Sequence, residues 1–128
     1  MIVVDTSAIV AIDLRESSAA SLLARLLANT PRYMPATAIV EATMVLSRQH
    51  KDSRAIMGGY IASMQLAMVP IDAEIVAAAQ DAFVRFGKGR HPARLNLCDC
   101  FSYAVAKMMD APLLFVGNDF PQTDVRIA

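Results

Sequence analysis

The chain has 128 residues, the size of one domain with one core. Hydrophobic residues make up 55% of it, which excludes a disordered chain, and a net charge of +0 excludes a global basic field. Local charge still decides whether nucleic acid can bind.

Met1-Ile-Val-Val carries no basic leader, and residues 2–4 read as a buried strand rather than part of a signal peptide. Residues 6–14 read as a short helix. A second helix is expected over 16–29, with Leu22, Leu23, Leu26 and Leu27 on one face and Pro31 past its end. Residues 32–34 form a short strand, and Pro35 opens a helix that carries Glu41 and runs to 49. Asp52 caps a helix through 64, residues 67–69 form a strand, and Asp72 caps a helix that reaches 86. The uncharged stretch 55–71 holds Gly58, Gly59, Ser63, Gln65 and Pro70 and is too short for a membrane span, so no membrane contact is expected. The glycine pair costs roughly 1 kcal/mol per Gly inside a helix. A close helix approach or a dimer contact is expected to compensate.

Residues 87–92 form a loop by their Gly and Pro content, and 97–109 form a helix around Asp99. Residues 113–116 read as another buried strand and 125–127 as a last short one. Short apolar strands alternate with helices, which indicates an α/β chain, residues 1–128, with a parallel sheet covered on both faces.

Four acids interrupt this apolar pattern. Asp5 closes the first strand, Glu41 and Asp99 sit in apolar helices, and Asp119 follows Leu113-Leu-Phe-Val-Gly-Asn. In open α/β sheets, sites form beyond the C-terminal ends of the strands, where Asp5 and Asp119 lie. Two carboxylates about 4 Å apart repel by roughly 4 kcal/mol at an effective dielectric of about 20. Four together need a compensating charge, and Mg²⁺ or Mn²⁺ suits oxygen ligands and can activate water for attack on phosphorus. The structural alternative is that Asp5 caps the helix starting at Thr6 and Asp119 caps a turn. Spacing alone leaves both open.

Val4-Asp-Thr-Ser-Ala8, Val40-Glu-Ala42, Leu97-Cys-Asp-Cys-Phe-Ser-Tyr-Ala104 and Phe115-Val-Gly-Asn-Asp-Phe-Pro-Gln-Thr-Asp124 resemble the four acidic motifs of the PIN domain. More narrowly, they resemble the VapC-type toxins of bacterial toxin–antitoxin pairs. The resemblance spans nearly the whole chain with the motifs in order. It implies a three-layer α/β/α sandwich with strand order 3-2-1-4-5. It also implies an Mg²⁺- or Mn²⁺-dependent endoribonuclease, with Asp5, Glu41, Asp99 and Asp119 as catalytic acids and Asp5, Asp99 and Asp119 as metal ligands. Asp124 matches a position that often adds a further acid. Thr6 and Ser7 match hydroxyls that orient carboxylates. The resemblance further implies RNA as substrate, with a tRNA among the targets, a homodimer, and a VapB-type antitoxin whose tail covers the site.

Arg85, Lys88, Arg90, His91 and Arg94 gather before the Asp99 helix, and Lys88, Arg90 and Arg94 are the expected RNA contacts, holding phosphates without reading bases. Cys98 and Cys100 point about 200° apart on a helix and read as packing thiols rather than as zinc ligands. With one residue between them, the two cysteines form no disulfide framework, and a reducing cytoplasm is the expected compartment. His50 follows a helix end and is expected at the surface. Two other readings compete. A haloacid-dehalogenase-type phosphatase would need an acid where Ser7 stands. A PIN-like module that only binds RNA or protein would not need all four acids.

Overall fold

The computed structural model describes residues 1–128. Four short strands, β1 (Ile2–Val4), β2 (Arg32–Pro35), β3 (Leu66–Val69) and β4 (Leu113–Leu114), pair in parallel in the order β3-β2-β1-β4. β1 is buried along its whole length because it lies between two neighbours and beneath helices on both sides. Its alternation is visible in the packing. Ile2 and Val4 enter one core with Ile9, Leu22, Leu26 and Met34, whereas Val3 enters the other with Phe86, Leu95, Tyr103 and Leu113. Successive side chains of a strand face opposite ways, so a three-residue strand serves two cores.

Six helices cover the sheet: α1 (Thr6–Asp13), α2 (Ala19–Leu27), α3 (Ala36–Leu46), α4 (Ser53–Ser63), α5 (Ala73–Phe86) and α6 (Leu97–Met108). α5 and α6 lie over the core of Val3, and α1 to α4 surround the core of Ile2 and Val4. Asp52 and Asp72 cap α4 and α5 as expected, accepting from the N–H groups of Ala55 and Ile75. The uncharged stretch divides into α4 and β3, and no helix is long and apolar enough to cross a membrane.

Three expectations change. The second helix starts at Ala19 rather than 16, because the Glu16 N–H is still bonded back to the Ala11 carbonyl at the end of α1; Ser18 precedes the helix without a side-chain cap. The sheet has four strands rather than five. β4 stops at Leu114 because the next free N–H, that of Val116, bonds to Ser7 Oγ at 3.0 Å instead of to a strand. With so short a neighbour, the expected strand at 125–127 is reduced to one bridge, Leu113 to Ile127, on the open side of β4. The third change concerns Gly58 and Gly59. A Cβ added at either meets nothing within 4 Å, so no helix approaches them closely within the protomer.

Candidate active site

Asp5 leaves the C-terminal end of β1 with 3% exposure. Its Oδ2 accepts from the N–H of Ser7 at 3.0 Å and from Ser7 Oγ at 2.7 Å, and its Oδ1 accepts from Ser102 Oγ at 2.7 Å. Asp5 is therefore the N-cap of α1, and it is also a carboxylate fixed from two sides. Capping and site formation are one arrangement. Ser7 joins Asp5 to the segment leaving β4, because its Oγ also receives the Val116 N–H. Thr6 acts differently from the expectation. Its Oγ1 donates to the carbonyl of Ala38 at 3.0 Å, so it ties α1 to the helix of Glu41 rather than orienting a carboxylate.

Asp99 stands in the first turn of α6. Asn96 Oδ1 accepts from the Asp99 N–H at 2.9 Å, and Asp99 Oδ2 accepts from the Asn96 N–H at 3.0 Å. This reciprocal cap holds the carboxylate at the helix start. Burial pushes the Asp99 carboxyl up to about 7, against the Asn96 N–H bond and with the charges of Asp5, Glu41 and Asp119 adding to the rise. Asp119 is exposed at the start of the short 3₁₀ turn Phe120–Gln122 and makes no cap bond, so its carboxylate stays free.

These four acids line one cavity of about 320 Å³, together with Thr6, Ser7 and Asn96. No Lys or Arg lines it, and none of the four acids takes part in an ion pair. Close carboxylates without a counter-charge suit a divalent cation. No three of the side chains close into a ready ligand cage. The cavity instead has room for a hydrated ion, since about six waters at roughly 30 Å³ each fill about 180 Å³. The donor set is all oxygen, which fits Mg²⁺ or Mn²⁺.

Asp124 does not line this cavity. Tyr103 Oη donates to its Oδ1, Lys107 Nζ lies 3.1 Å from its Oδ2, and Arg85 lies 3.7 Å away. The Tyr103 bond, then Lys107 and Arg85, hold its carboxyl below the ordinary range against a smaller effect of burial. The expected further acid is thus a staple that fixes the C-terminal segment on α5 and α6.

Lys88, Arg90 and Arg94 surround a separate polar hollow of about 550 Å³ with Gly89, His91 and Pro92. The loop is closed at its neck, where the Lys88 N–H meets the Leu95 carbonyl and the Leu95 N–H meets the Phe86 carbonyl, each at 3.0 Å. Gly89, at φ 83, supplies the left-handed turn it needs. Its three cations carry no ion pair, whereas Arg85 is drawn off to Asp124. His91 Nδ1 accepts from the Ala93 N–H at 3.0 Å and its ring packs edge-on to Phe86, which makes it a loop brace.

Two site residues were less visible in the sequence. Asn96 caps α6 and lines the cavity, and Ser102 is fully buried and grips Asp5. The signal for Ser102 is its place one turn beyond Asp99 on the same helix face. Cys98 is half-buried beside Glu41, where burial, then the Glu41 carboxylate, push its thiol up to about 12. Cys100 is buried in the core of Val3.

Residues 2–126 match the PIN domain family. Ribonuclease VapC36 of Mycobacterium tuberculosis is 44% identical over 125 residues, covering 96% of this chain and 90% of that protein. Ribonuclease VapC of Mycolicibacterium smegmatis is 42% identical, covering 96% of each. The crystal structure of Mycobacterium tuberculosis VapC20, described as a sarcin-ricin loop cleaving toxin, superposes with a TM-score of 0.77 over 100% of this chain and 98% of that one. At 20% identity that likeness bears on the fold.

Proposed function

The chain belongs to the PIN domain family, and from that premise we propose that it is a metal-dependent endoribonuclease toxin of the VapC type. One observation carries the reading. Four carboxylates face one cavity with no cation to balance them, and their repulsion contributes to the rise of Asp99 to about 7.

Asp5, Asp99 and Asp119 hold the ion in this reading. When bound, Mg²⁺ or Mn²⁺ balances the carboxylates, polarises the phosphodiester and makes water a better nucleophile. The protein's own share is positional. Ser7 and Ser102 fix both oxygens of Asp5, and Asn96 fixes one oxygen of Asp99, which leaves the other turned to chemistry. Asp119 has no internal partner and is free to bind. Glu41, carried by α3, would take a proton from the attacking water as its oxygen bonds to phosphorus, and would return that proton to the ester oxygen as the P–O bond breaks, so that it leaves as a hydroxyl. Lys88, Arg90 and Arg94 hold the RNA backbone. The expected inhibitor is a VapB-type antitoxin, the expected assembly a homodimer and the expected compartment the cytoplasm.

The test is cleavage of total RNA with Mg²⁺ or Mn²⁺, stopped by EDTA. Asp99→Asn keeps a side-chain oxygen for the Asn96 N–H, so it should fold and lose cleavage by at least about 10²-fold. Undiminished cleavage by the folded variant would falsify the assignment of the acids.

A further inference from the structure

The turn between α3 and α4 and the start of α4 carry Arg48, Lys51 and Arg54. All three are exposed, and none takes part in an ion pair. The acids close to them are engaged elsewhere. Asp52 caps α4, accepting from the Ala55 N–H at 3.1 Å. Asp13 is enclosed between His50 at 2.9 Å and Tyr60 at 2.6 Å. The His50 bond also pins the turn to the end of α1, so the three cations stand on a fixed corner.

Helix ends account for part of this pattern. Arg48 and Lys51 follow the C-terminal end of α3, where the helix dipole favours a cation. Arg54 does not fit that account. It is the second residue of α4, whose first turn holds no acid, and there the dipole opposes a cation. Lys51, three positions away, opposes it too. A cation held against its local field, exposed and unpaired, gains its partner from outside the chain, and that partner is an anion.

The corner is continuous with the acidic cavity. Arg48 lines a hollow of about 740 Å³ along α3, and Glu41 and Val45 line both this hollow and the cavity. From Glu41 to Arg48 the chain makes about two helical turns, roughly 10 Å along the axis. That span matches about three stacked nucleotides at roughly 3.4 Å each. The loop of Lys88, Arg90 and Arg94 reaches the cavity from the α6 side, because it leads into Asn96, which caps α6 and lines the cavity. The acids thus lie between cations on the α3 side and cations on the α6 side.

We propose that Arg48, Lys51 and Arg54 form a second phosphate-binding corner, which holds the RNA strand about three nucleotides from the scissile bond. The proposal rests on the ribonuclease reading above and adds a substrate class to it, a single strand that continues past the cleaved bond on both sides. The corner grips backbone and reads no base.

Two measurements test this with the triple variant Arg48→Ala, Lys51→Ala, Arg54→Ala, its fold checked by circular dichroism. The first is fluorescence anisotropy in EDTA with a labelled single-stranded RNA of about 15 nucleotides. Each phosphate contact adds about 0.7 to the slope of log affinity against log salt, so the variant should lose about 2 from that slope. An unchanged slope overturns the proposal, and a variant that loses only thermal stability returns these cations to the helix ends. The second is kcat/KM for cleavage of a long RNA and of RNAs cut back to one nucleotide beyond the scissile bond, on each side in turn. Wild type should prefer the long RNA over one of the two shortened ones by on the order of 10-fold. In the variant that preference should fall to about one, because the lost flank and the lost corner are the same contact. A preference that survives in the variant, or a wild type indifferent to both flanks, overturns the corner. If wild type cleaves no RNA at all, the ribonuclease reading fails, while the salt slope still decides whether the corner binds the strand.

Discussion

Ser102 has no exposed surface, and its hydroxyl serves one purpose that the structure shows, a 2.7 Å bond to Asp5 Oδ1. Groups that orient a metal ligand typically cost 10–100-fold in affinity or activity when removed, so Ser102→Ala should lower cleavage by about 10–100-fold. The same variant should need more Mg²⁺ for half-maximal rate, which a simple loss of packing would not produce. Asp99 couples ion binding to pH. Its folded pKa of about 7 lies above the ordinary 3.8, chiefly through burial and then through its acidic neighbours. The stability tied to its protonated form is therefore present below 3.8 and is lost as pH rises through about 7. A bound cation needs the ionised form and reverses that loss. The rise in melting temperature on adding Mg²⁺ should therefore be larger at about pH 8 than at about pH 6. Equal shifts would disconnect Asp99 from the ion. The acids themselves were legible because charge inside an apolar run is a local signal. Asp124 shows the limit. Its position in the chain groups it with the acids, but Tyr103, Lys107 and Arg85 reach it from two helices and neutralise it.

Between elements, Asp13 does what no single helix could. It ends α1, and its side chain is 6% exposed. His50, from the connection after α3, reaches it at 2.9 Å, and Tyr60 Oη of α4 donates to it at 2.6 Å. Sequence placed His50 at the surface because a residue after a helix end usually is; its partner lies 37 positions away. Burial raises the Asp13 pKa, but the Tyr60 and His50 bonds and the His50 charge outweigh it, so the net value falls below 3.8. Hydrogen bonds to charged groups are worth about 1.5–3 kcal/mol, and Tyr60→Phe should lower stability in urea by about that amount at neutral pH. Because the folded pKa is depressed, this contribution is present above 3.8 and disappears as pH falls through the folded value. The gap between wild type and Tyr60→Phe should close in acid, and a constant gap would locate the effect in packing instead. The starts of α4 and α5 were legible because their caps are local, as the contacts of Asp13 are not. Asp52 and Asp72 cap donors three residues away, a local pattern. The end of β4 depends on Ser7, 109 positions distant, and no local pattern contains it.

At the scale of the molecule, a net charge of +0 conceals a separation. Acids without counter-ions occupy one cavity, and three cations without counter-ions occupy a loop. A polyanion meets attraction at the loop and repulsion at the cavity until a divalent cation sits there. RNA affinity should accordingly rise when Mg²⁺ is added to a protein that cannot cleave, such as Asp99→Ala, only as far as the remaining acids still hold the ion. The loop's share is measurable apart from the ion. Each phosphate contact on a single strand adds about 0.7 to the slope of log affinity against log salt. Three contacts amount to about 2, so replacing Lys88, Arg90 and Arg94 with Ala should lower the slope by about 2. Fluorescence anisotropy with a labelled single-stranded RNA, in EDTA to prevent cleavage, reads this directly. Phosphates carry no sequence, so the loss should be uniform across RNAs of different sequence. An unchanged slope removes the loop from the RNA path. A loss confined to some sequences would mean that the loop reads bases, and target choice would then lie with these three residues rather than with the acidic cavity.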